Sequence, residues 1–156
     1  MELNMRVTDN LVVSLGEMKE ELLFTLDENG IRYSVPFDKT NADNIKETII
    51  QIPELKIEVS VENDIVTYIK SGCNKYNILG EVAIGKINSV SKIGEIKDNL
   101  VKMYNLDEKS IFIEKINTRA MEIIMIIRDP DGENCRIHIM SNSHGEVFIY
   151  NIRYTK

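Results

Sequence analysis

The sequence predicts an α+β protein in which a helix followed by an antiparallel sheet occurs twice, in tandem, within one compact body. Residues 15–23 return later in the chain as residues 93–101, with Leu-Gly-Glu-Met-Lys matched by Ile-Gly-Glu-Ile-Lys. After each block the spacing of apolar residues changes from helical to strand-like. No Pro-rich or low-complexity segment separates the halves. We therefore predict one repeat over residues 1–78 and a second over residues 79–156.

A helix opens the first repeat. Its apolar face and its acidic face are formed by Leu15, Met18, Leu22 and Leu26 and by Glu17, Glu20, Glu21 and Glu28. Gly30 follows Asn29 at the end of this pattern, and glycine accepts the left-handed conformation that ends many helices. Ser14 and Glu17 have the spacing of a capping box, but that start would place Gly16 inside the first turn. The N-terminal boundary of the helix therefore stays open.

The remainder of the first repeat is predicted to be mostly strand. Residues 40–47 are a candidate short second helix. Residues 55–62 alternate apolar and polar side chains without interruption, and residues 65–70 return after a turn at Asn63-Asp64. A strand that follows another through a tight turn pairs with it antiparallel.

The second repeat has the same order of elements. Ile93, Ile96 and Leu100 continue at helical spacing to Met103 or Tyr104, and Asn105 is the predicted C-terminal cap. Strands are predicted over residues 110–116, 121–128, 134–140 and 146–154, with turns at 129–132 and 142–145 and a junction between the repeats at 74–88. The helices would cover one side of the sheet and leave the other side open to solvent or a partner.

This pattern resembles a known fold. Leu15-Gly16 opens an acidic amphipathic helix, and residues 57–69 form an alternating strand, a turn and a returning strand. Together they resemble one repeat of the beta-lactamase-inhibitor-protein-like fold, which small outer-membrane assembly lipoproteins share; residues 93–152 are similar in outline. The chain departs from the family in having Glu17 and Glu95 where members usually have Ser or Thr, and in lacking the lipidation signal of the lipoproteins. The resemblance implies inhibition of another protein as one use of the fold.

Composition and charge narrow the classes of partner. The net charge of -6 lies in the first half, which holds 14 acidic and 8 basic residues, whereas the second half holds 11 of each. This balance disfavours nucleic acid and anionic membrane as partners and favours a basic protein surface. With no run of eighteen apolar residues and no basic start followed by an apolar stretch, the chain is expected to be cytoplasmic. Cys73 and Cys135 form no C-x-x-C pair and are predicted to be free thiols.

Two motifs could suggest ligand chemistry, and both are better explained by structure. Residues 80–87 match G-x-x-x-x-G-K but end in Ile87, where a phosphate loop needs a hydroxyl for magnesium. We interpret them as a strand at the repeat junction. Residues 129–133 hold three acids but lack the remaining ligands of a calcium loop, so we predict a hairpin turn there.

No catalytic residue, metal site or cofactor is predicted. Cys135, His138 and His144 lie close in sequence, but positions 135 and 138 of a strand point to opposite faces and His144 falls in a turn. Glu17, Glu20 and Glu21 are interpreted as the solvated face of a helix. We therefore predict that the protein is not an enzyme.

The residues of the last predicted strand bear on which face of the sheet is exposed. Phe148, Tyr150, Ile152 and Tyr154 would share one side, and Val147, Ile149, Asn151 and Arg153 the other. Either side could be core, and either choice exposes Tyr or Arg, the residue types that dominate binding hot spots. An ordinary solvated sheet face is the alternative. The predicted partner-binding residues are Lys56, Glu58, Glu62, Tyr68, Arg136, His138, Tyr150 and Arg153.

Together these observations favour a non-enzymatic, bacterial protein-binding module. The most concrete version is a cytoplasmic inhibitor or immunity protein that neutralises a toxin or enzyme by occluding it. The acidic first half suggests that this toxin or enzyme is basic. The alternative is a small-ligand-binding or cell-envelope assembly module of the same fold, in which sheet and helices would enclose an apolar pocket.

Overall fold

The computed structural model describes residues 3–8, 11–40, 42–71, 90–117, 119, 122–141 and 147–155. In chain order the elements are β1 (Asn4–Thr8), β2 (Leu11–Ser14), α1 (Lys19–Glu28), β3 (Ser34–Thr40), β4 (Lys46–Ile52), β5 (Ile57–Glu62), β6 (Ile65–Ser71), α2 (Val90–Tyr104), β7 (Ile111–Asn117), β8 (Glu122–Ile127), β9 (Cys135–Ser141) and β10 (Val147–Tyr154). Short 3-10 helices at Pro53–Leu55 and Glu108–Ser110 precede β5 and β7.

Strands β3 to β10 form one eight-stranded sheet in the order β3-β4-β5-β6-β10-β9-β8-β7, and all neighbouring strands are antiparallel. The sheet consists of two four-stranded meanders whose last strands pair, with Ile69 of β6 opposite Ile152 of β10. A helix precedes each meander along the chain. The predicted α+β class is confirmed.

A single core lies between the sheet and the helices. Leu22 and Leu26 of α1 and Ile96 and Leu100 of α2 are buried in the same apolar cluster as one face of the sheet. On that face a row of successive Cα partners is fully buried across six strands: Ile50, Val59, Ile69, Ile152, Ile137 and Met125. Since side chains alternate along a strand, burial of this row directs the intervening residues to the opposite face.

An N-terminal hairpin of β1 and β2 precedes α1 and decides where that helix begins. Leu11, Val13 and Leu15 are buried in the core, and Gly16 adopts a φ of 89°. The Gly16 amide donates to the Val66 carbonyl of β6 at 2.8 Å. The chain therefore turns at Gly16, in a conformation that glycine adopts without steric cost.

The capping box predicted at this turn is half formed and lies before the helix. The Glu17 carboxylate accepts a hydrogen bond from the Ser14 amide at 3.1 Å, while the N-cap residue is Met18 and the helix begins at Lys19. The matching Gly94 lies within α2. The two copies of the echoed sequence thus adopt different backbone conformations at their shared glycine.

The short helix proposed over residues 40–47 is wrong. The described residues of this range, 40 and 42–47, belong to the β3–β4 hairpin, in which Thr40 is the Cα partner of Lys46 and Asn44 takes a left-handed turn conformation with φ 59°. Thr48 of β4 is buried and its hydroxyl donates to Asp38 at 3.2 Å. Because a polar residue faces the core here, the sequence of β4 lacks the alternation of apolar and polar residues that predicts a strand.

The strict alternation predicted for the last strand is also wrong. A β-bulge lies between Ile149 and Asn151 of β10, and Ile149 and Ile152 are both buried. The extra residue of a bulge shifts the phase of the strand. As a result Tyr150, Asn151 and Arg153 lie together on the face opposite the core.

The other predicted elements agree with the structure within a few residues. Asn105 has a φ of 51° directly after α2, as expected for a C-terminal cap. The hairpin turn predicted at 129–132 joins β8 and β9. Cys73, residues 74–88 and residues 142–145, with His144, lie outside the described residues. Among those described, no helix is both long and apolar enough to cross a membrane.

Candidate functional site

The sheet surface opposite the helices, which we call the open face, carries two rows of cross-strand neighbours. The first row is Gln51, Glu58, Lys70, Asn151, His138, Ile124 and Lys115. The second row is Ile49, Ser60, Tyr68, Arg153, Arg136, Ile126 and Phe112. Each row crosses the β6–β10 pairing, so each contains residues from both halves of the chain.

A hydrogen-bonded network occupies the first row and fixes the orientation of His138. Its Nε2 lies 2.7 Å from Glu122 Oε2, and its Nδ1 lies 3.5 Å from Asn151 Nδ2. The Asn151 amide group donates to Nδ1 and Nε2–H donates to the carboxylate in the neutral tautomer. The hydrogen bond with His138 is the main reason why the pKa of Glu122 is lowered.

Tyr150 continues this network toward β6. Its ring meets the His138 ring edge-on with centroids 5.3 Å apart, and Lys70 Nζ lies 5.6 Å from the Tyr150 ring centroid. A side-chain hydrogen bond with Tyr150 is the main cause that raises the pKa of Lys70. Neighbouring side chains therefore hold the aromatic ring in position on the open face.

The second row forms part of the lining of a concavity of about 1200 Å³. Because the lining extends from Glu47 on β4 to Glu114 on β7, the sheet curves around it. Four acidic residues lie on the outer strands and strand ends that border the concavity: Glu47, Glu62, Glu114 and Glu133. Arg136 and Arg153 lie on β9 and β10, which form its floor together with β6.

The two arginines of the floor are directly opposite each other as Cα partners. Like charges in this position are unfavourable unless another group compensates them. Arg136 Nε lies 3.1 Å from Glu114 Oε2, yet this buried N–H makes no hydrogen bond to any residue that the structure describes. Arg153 has no acidic side chain within 4.0 Å in the described part of the chain. Tyr68, beside Arg153, has its pKa raised mainly by burial.

Cys135 is turned away from this surface. It is fully buried in the core, where burial raises the pKa of its thiol to about 11, and its Sγ lies 3.7 Å from the Glu133 carbonyl. A thiolate is the reactive form of cysteine, so this thiol is not activated. His138 lies on the other side of the sheet, as the spacing of the two residues predicts.

The turn at 129–132 is built by local hydrogen bonds. Asp129 Oδ1 accepts from the Asp131 amide at 3.0 Å, and the Asp129 amide donates to Asn134 Oδ1 at 3.2 Å. Such side-chain bonds are typical of turns that contain Asp and Asn. Within the described ranges, no group of three or more His, Cys, Asp or Glu side chains is placed to hold a metal ion.

All but one of the predicted partner-binding residues lie on the open face: Glu58, Glu62, Tyr68, Arg136, His138, Tyr150 and Arg153. Lys56 lies outside the strand, because it adopts a left-handed conformation (φ 52°) after the 3-10 helix. It borders a smaller concavity of about 280 Å³ together with Gln51 and Lys70.

The predicted partner-binding residues do not include several residues of this surface, among them Lys70, Glu114 and Glu122. Lys70 stands two positions after Tyr68, so period-two spacing could have placed it on the same face. Glu114 falls at a bulge in β7, between Ile113 and Lys115, and the bulge obscures which face it occupies.

Comparison of the chain with protein-family models, with curated proteins and with solved structures finds no match. The class of protein is therefore defined by the fold and the surface: an α+β protein whose helices cover one side of an antiparallel sheet, leaving a curved, charged face on the other.

Proposed function

We propose that the protein is a non-enzymatic protein-binding module that engages its partner through the open face. The observation that carries this proposal is the concavity of about 1200 Å³, whose floor combines Tyr68 with Arg136 and Arg153. Tyrosine and arginine are enriched among the residues that dominate binding energy, particularly in partly buried central positions. These three side chains are half-buried at the centre of the sheet, where a partner would exclude water from them.

The distribution of charge favours a partner with a basic surface. Four glutamates border the concavity, and the whole chain carries a net charge of -6. Complementary charge accelerates association and rejects partners of the same sign. A basic toxin or enzyme fits this distribution, and the cytoplasmic inhibitor or immunity protein is the most concrete version of the proposal.

The resemblance to the beta-lactamase-inhibitor-protein-like fold supports the same proposal by analogy. We further infer that the chain is one helix-and-sheet unit used twice. In that arrangement the binding surface arises where the last strands of the two units meet, because Tyr68 comes from the first half and the two arginines from the second. Neither unit alone would present the complete surface.

A second candidate is binding of a small ligand in the same concavity. Its volume of about 1200 Å³ is somewhat above the usual range for small-molecule sites. The position of the concavity on the open face differs from the enclosed pocket between sheet and helices that the predicted ligand-binding alternative requires. Protein binding is therefore the better-supported function.

Coexpression with the product of the adjacent gene, followed by purification and quantitative binding, tests the proposal. We expect a stable complex and a loss of affinity of at least about tenfold for Arg136→Glu and for Glu58→Lys. Two charge reversals outside the sheet are matched controls: Arg32→Glu and Glu20→Lys, both at exposed positions. They should bind as the wild type does.

Circular dichroism establishes that each variant is folded before its binding is compared. If no macromolecular partner is found, or if both open-face variants bind with wild-type affinity, the proposal is wrong.

A further inference from the structure

We propose that Arg136 and Arg153 together receive one carboxylate side chain of the partner, presented within a basic segment. This inference rests on the proposed function and names the chemistry of the partner at the centre of the contact. The bordering glutamates of the concavity would meet the basic residues on either side of that carboxylate.

The positions of the two arginines on the sheet support this proposal. Arg136 and Arg153 are directly opposite on neighbouring antiparallel strands, where Cα atoms are about 4.5–5.5 Å apart. Both side chains project from the same face of the sheet. A carboxylate has two oxygens and accepts hydrogen bonds from arginine in a planar, bidentate manner. One carboxylate between the two side chains can therefore accept hydrogen bonds from both.

The charge of the two arginines is only partly compensated by acidic side chains of the described residues. Arg153 has no acidic side chain within 4.0 Å among the residues the structure describes. Arg136 Nε lies 3.1 Å from Glu114 Oε2, so Glu114 supplies one counter-charge to the pair. Because this Nε is buried, a partner would contact the terminal N–H groups of Arg136, whose side chain is 26% exposed. Two like charges that share one counter-charge are unfavourable in the free protein. A partner carboxylate beside Arg153 would supply the second counter-charge.

The acidic border of the concavity indicates which kind of ligand carries the carboxylate. Glu47, Glu62, Glu114 and Glu133 outnumber the two arginines in the lining of the concavity, so the concavity as a whole repels a free anion. A carboxylate flanked by lysine or arginine meets attraction at both the floor and the border. A phosphate carries more negative charge and is repelled more strongly. The observations therefore favour an acidic residue within a basic protein segment.

Titration with capped pentapeptides tests this inference without the natural partner. The probes are Lys-Lys-Glu-Lys-Lys, Lys-Lys-Gln-Lys-Lys and free glutarate, and binding is followed at pH 7 by the NMR signals of the arginine Nε–H groups. We expect the glutamate peptide to bind about tenfold more tightly than the glutamine peptide, because charge-assisted hydrogen bonds are stronger than neutral ones. Glutarate should bind more weakly than the glutamate peptide.

Arg153→Gln should remove the preference for glutamate, whereas the matched control Arg32→Gln should retain it. The amide spectrum of each variant shows whether the fold is intact. Equal affinities of the two peptides, or no binding of the glutamate peptide at millimolar concentration, would overturn this inference. Glutarate binding as tight as that of the glutamate peptide would overturn it in favour of a free-anion site. None of these results decides whether coexpression yields a protein partner. The carboxylate site can therefore be wrong while the proposed protein-binding function is right.

Discussion

At the scale of single residues, the open face is held in place by contacts among its own side chains. His138 uses one ring nitrogen for Glu122 and the other for Asn151, and its ring edge contacts Tyr150. Side chains that are ordered before binding lose less conformational entropy when a partner binds. In the proposed complex, this network would therefore reduce the loss of conformational entropy on binding.

The Glu122–His138 contact predicts a defined dependence of stability on pH. A carboxyl group whose pKa is lowered in the folded state stabilises the protein above its unfolded pKa, and this contribution is lost as pH falls through the folded pKa. Glu122 is such a group, because its pKa is lowered from the ordinary value of 4.5. We expect the wild type to exceed Glu122→Gln by about 1 kcal/mol in free energy of unfolding at pH 7. The difference should shrink below pH 4.5.

Urea unfolding at pH 7, 4.5 and 3 measures this difference. Glu108→Gln, at an exposed position, is the control and should change stability little at any of these pH values. If the difference in free energy of unfolding between wild type and Glu122→Gln stays constant from pH 7 to pH 3, the Glu122–His138 contact does not cause it.

The buried thiol of Cys135 gives a second prediction at this scale. Because burial raises its pKa to about 11, very little thiolate is present at pH 8, and we expect Cys135 to resist iodoacetamide in the native protein. In urea it should react at the rate of an ordinary cysteine. Peptide mass mapping distinguishes it from Cys73. Rapid native labelling of Cys135 would show that the thiol is accessible.

At the scale of elements, the helices and strands with regularly spaced apolar residues could be predicted from the sequence. Features that interrupt this spacing could not. The amphipathic stripes located both helices, and uninterrupted alternation located β5. The sequence did not predict the β3–β4 hairpin, because Thr48 is a polar residue that faces the core. Its hydroxyl donates a hydrogen bond to Asp38. The face of β10 could not be settled because the bulge after Ile149 is set by pairing with β9, which local sequence does not contain.

The packing of α1 against the sheet can be tested with two positions on the same helix. Leu26 is fully buried, whereas Phe24 is 63% exposed. Leu26→Ala should lower the free energy of unfolding by about 2–5 kcal/mol, because it leaves a cavity in the core. Phe24→Ala should change it by no more than about 0.5 kcal/mol. Denaturant unfolding of both variants checks this, and equal losses would show that α1 is oriented differently.

At the scale of the whole molecule, the two halves share a helix followed by four antiparallel strands and differ in what precedes the helix. In the first half the chain turns at Gly16, before α1 begins. In the second half Gly94 lies within α2. The echo in the sequence predicted the order of elements but not this difference, because hydrogen bonds to Val66 of a distant strand determine it. The proposed binding surface likewise depends on the β6–β10 pairing, which joins residues far apart in sequence.

We propose that the open face binds a protein while the helical side does not. Site-specific photocrosslinking in the native host distinguishes the two sides, with p-benzoylphenylalanine placed at Tyr68 on the open face or at Phe24 on α1. Both positions are aromatic, so the two substitutions are matched in size. We predict an adduct of defined mass from Tyr68 and none from Phe24. Adducts from Phe24 alone, or from neither position, would contradict the claim.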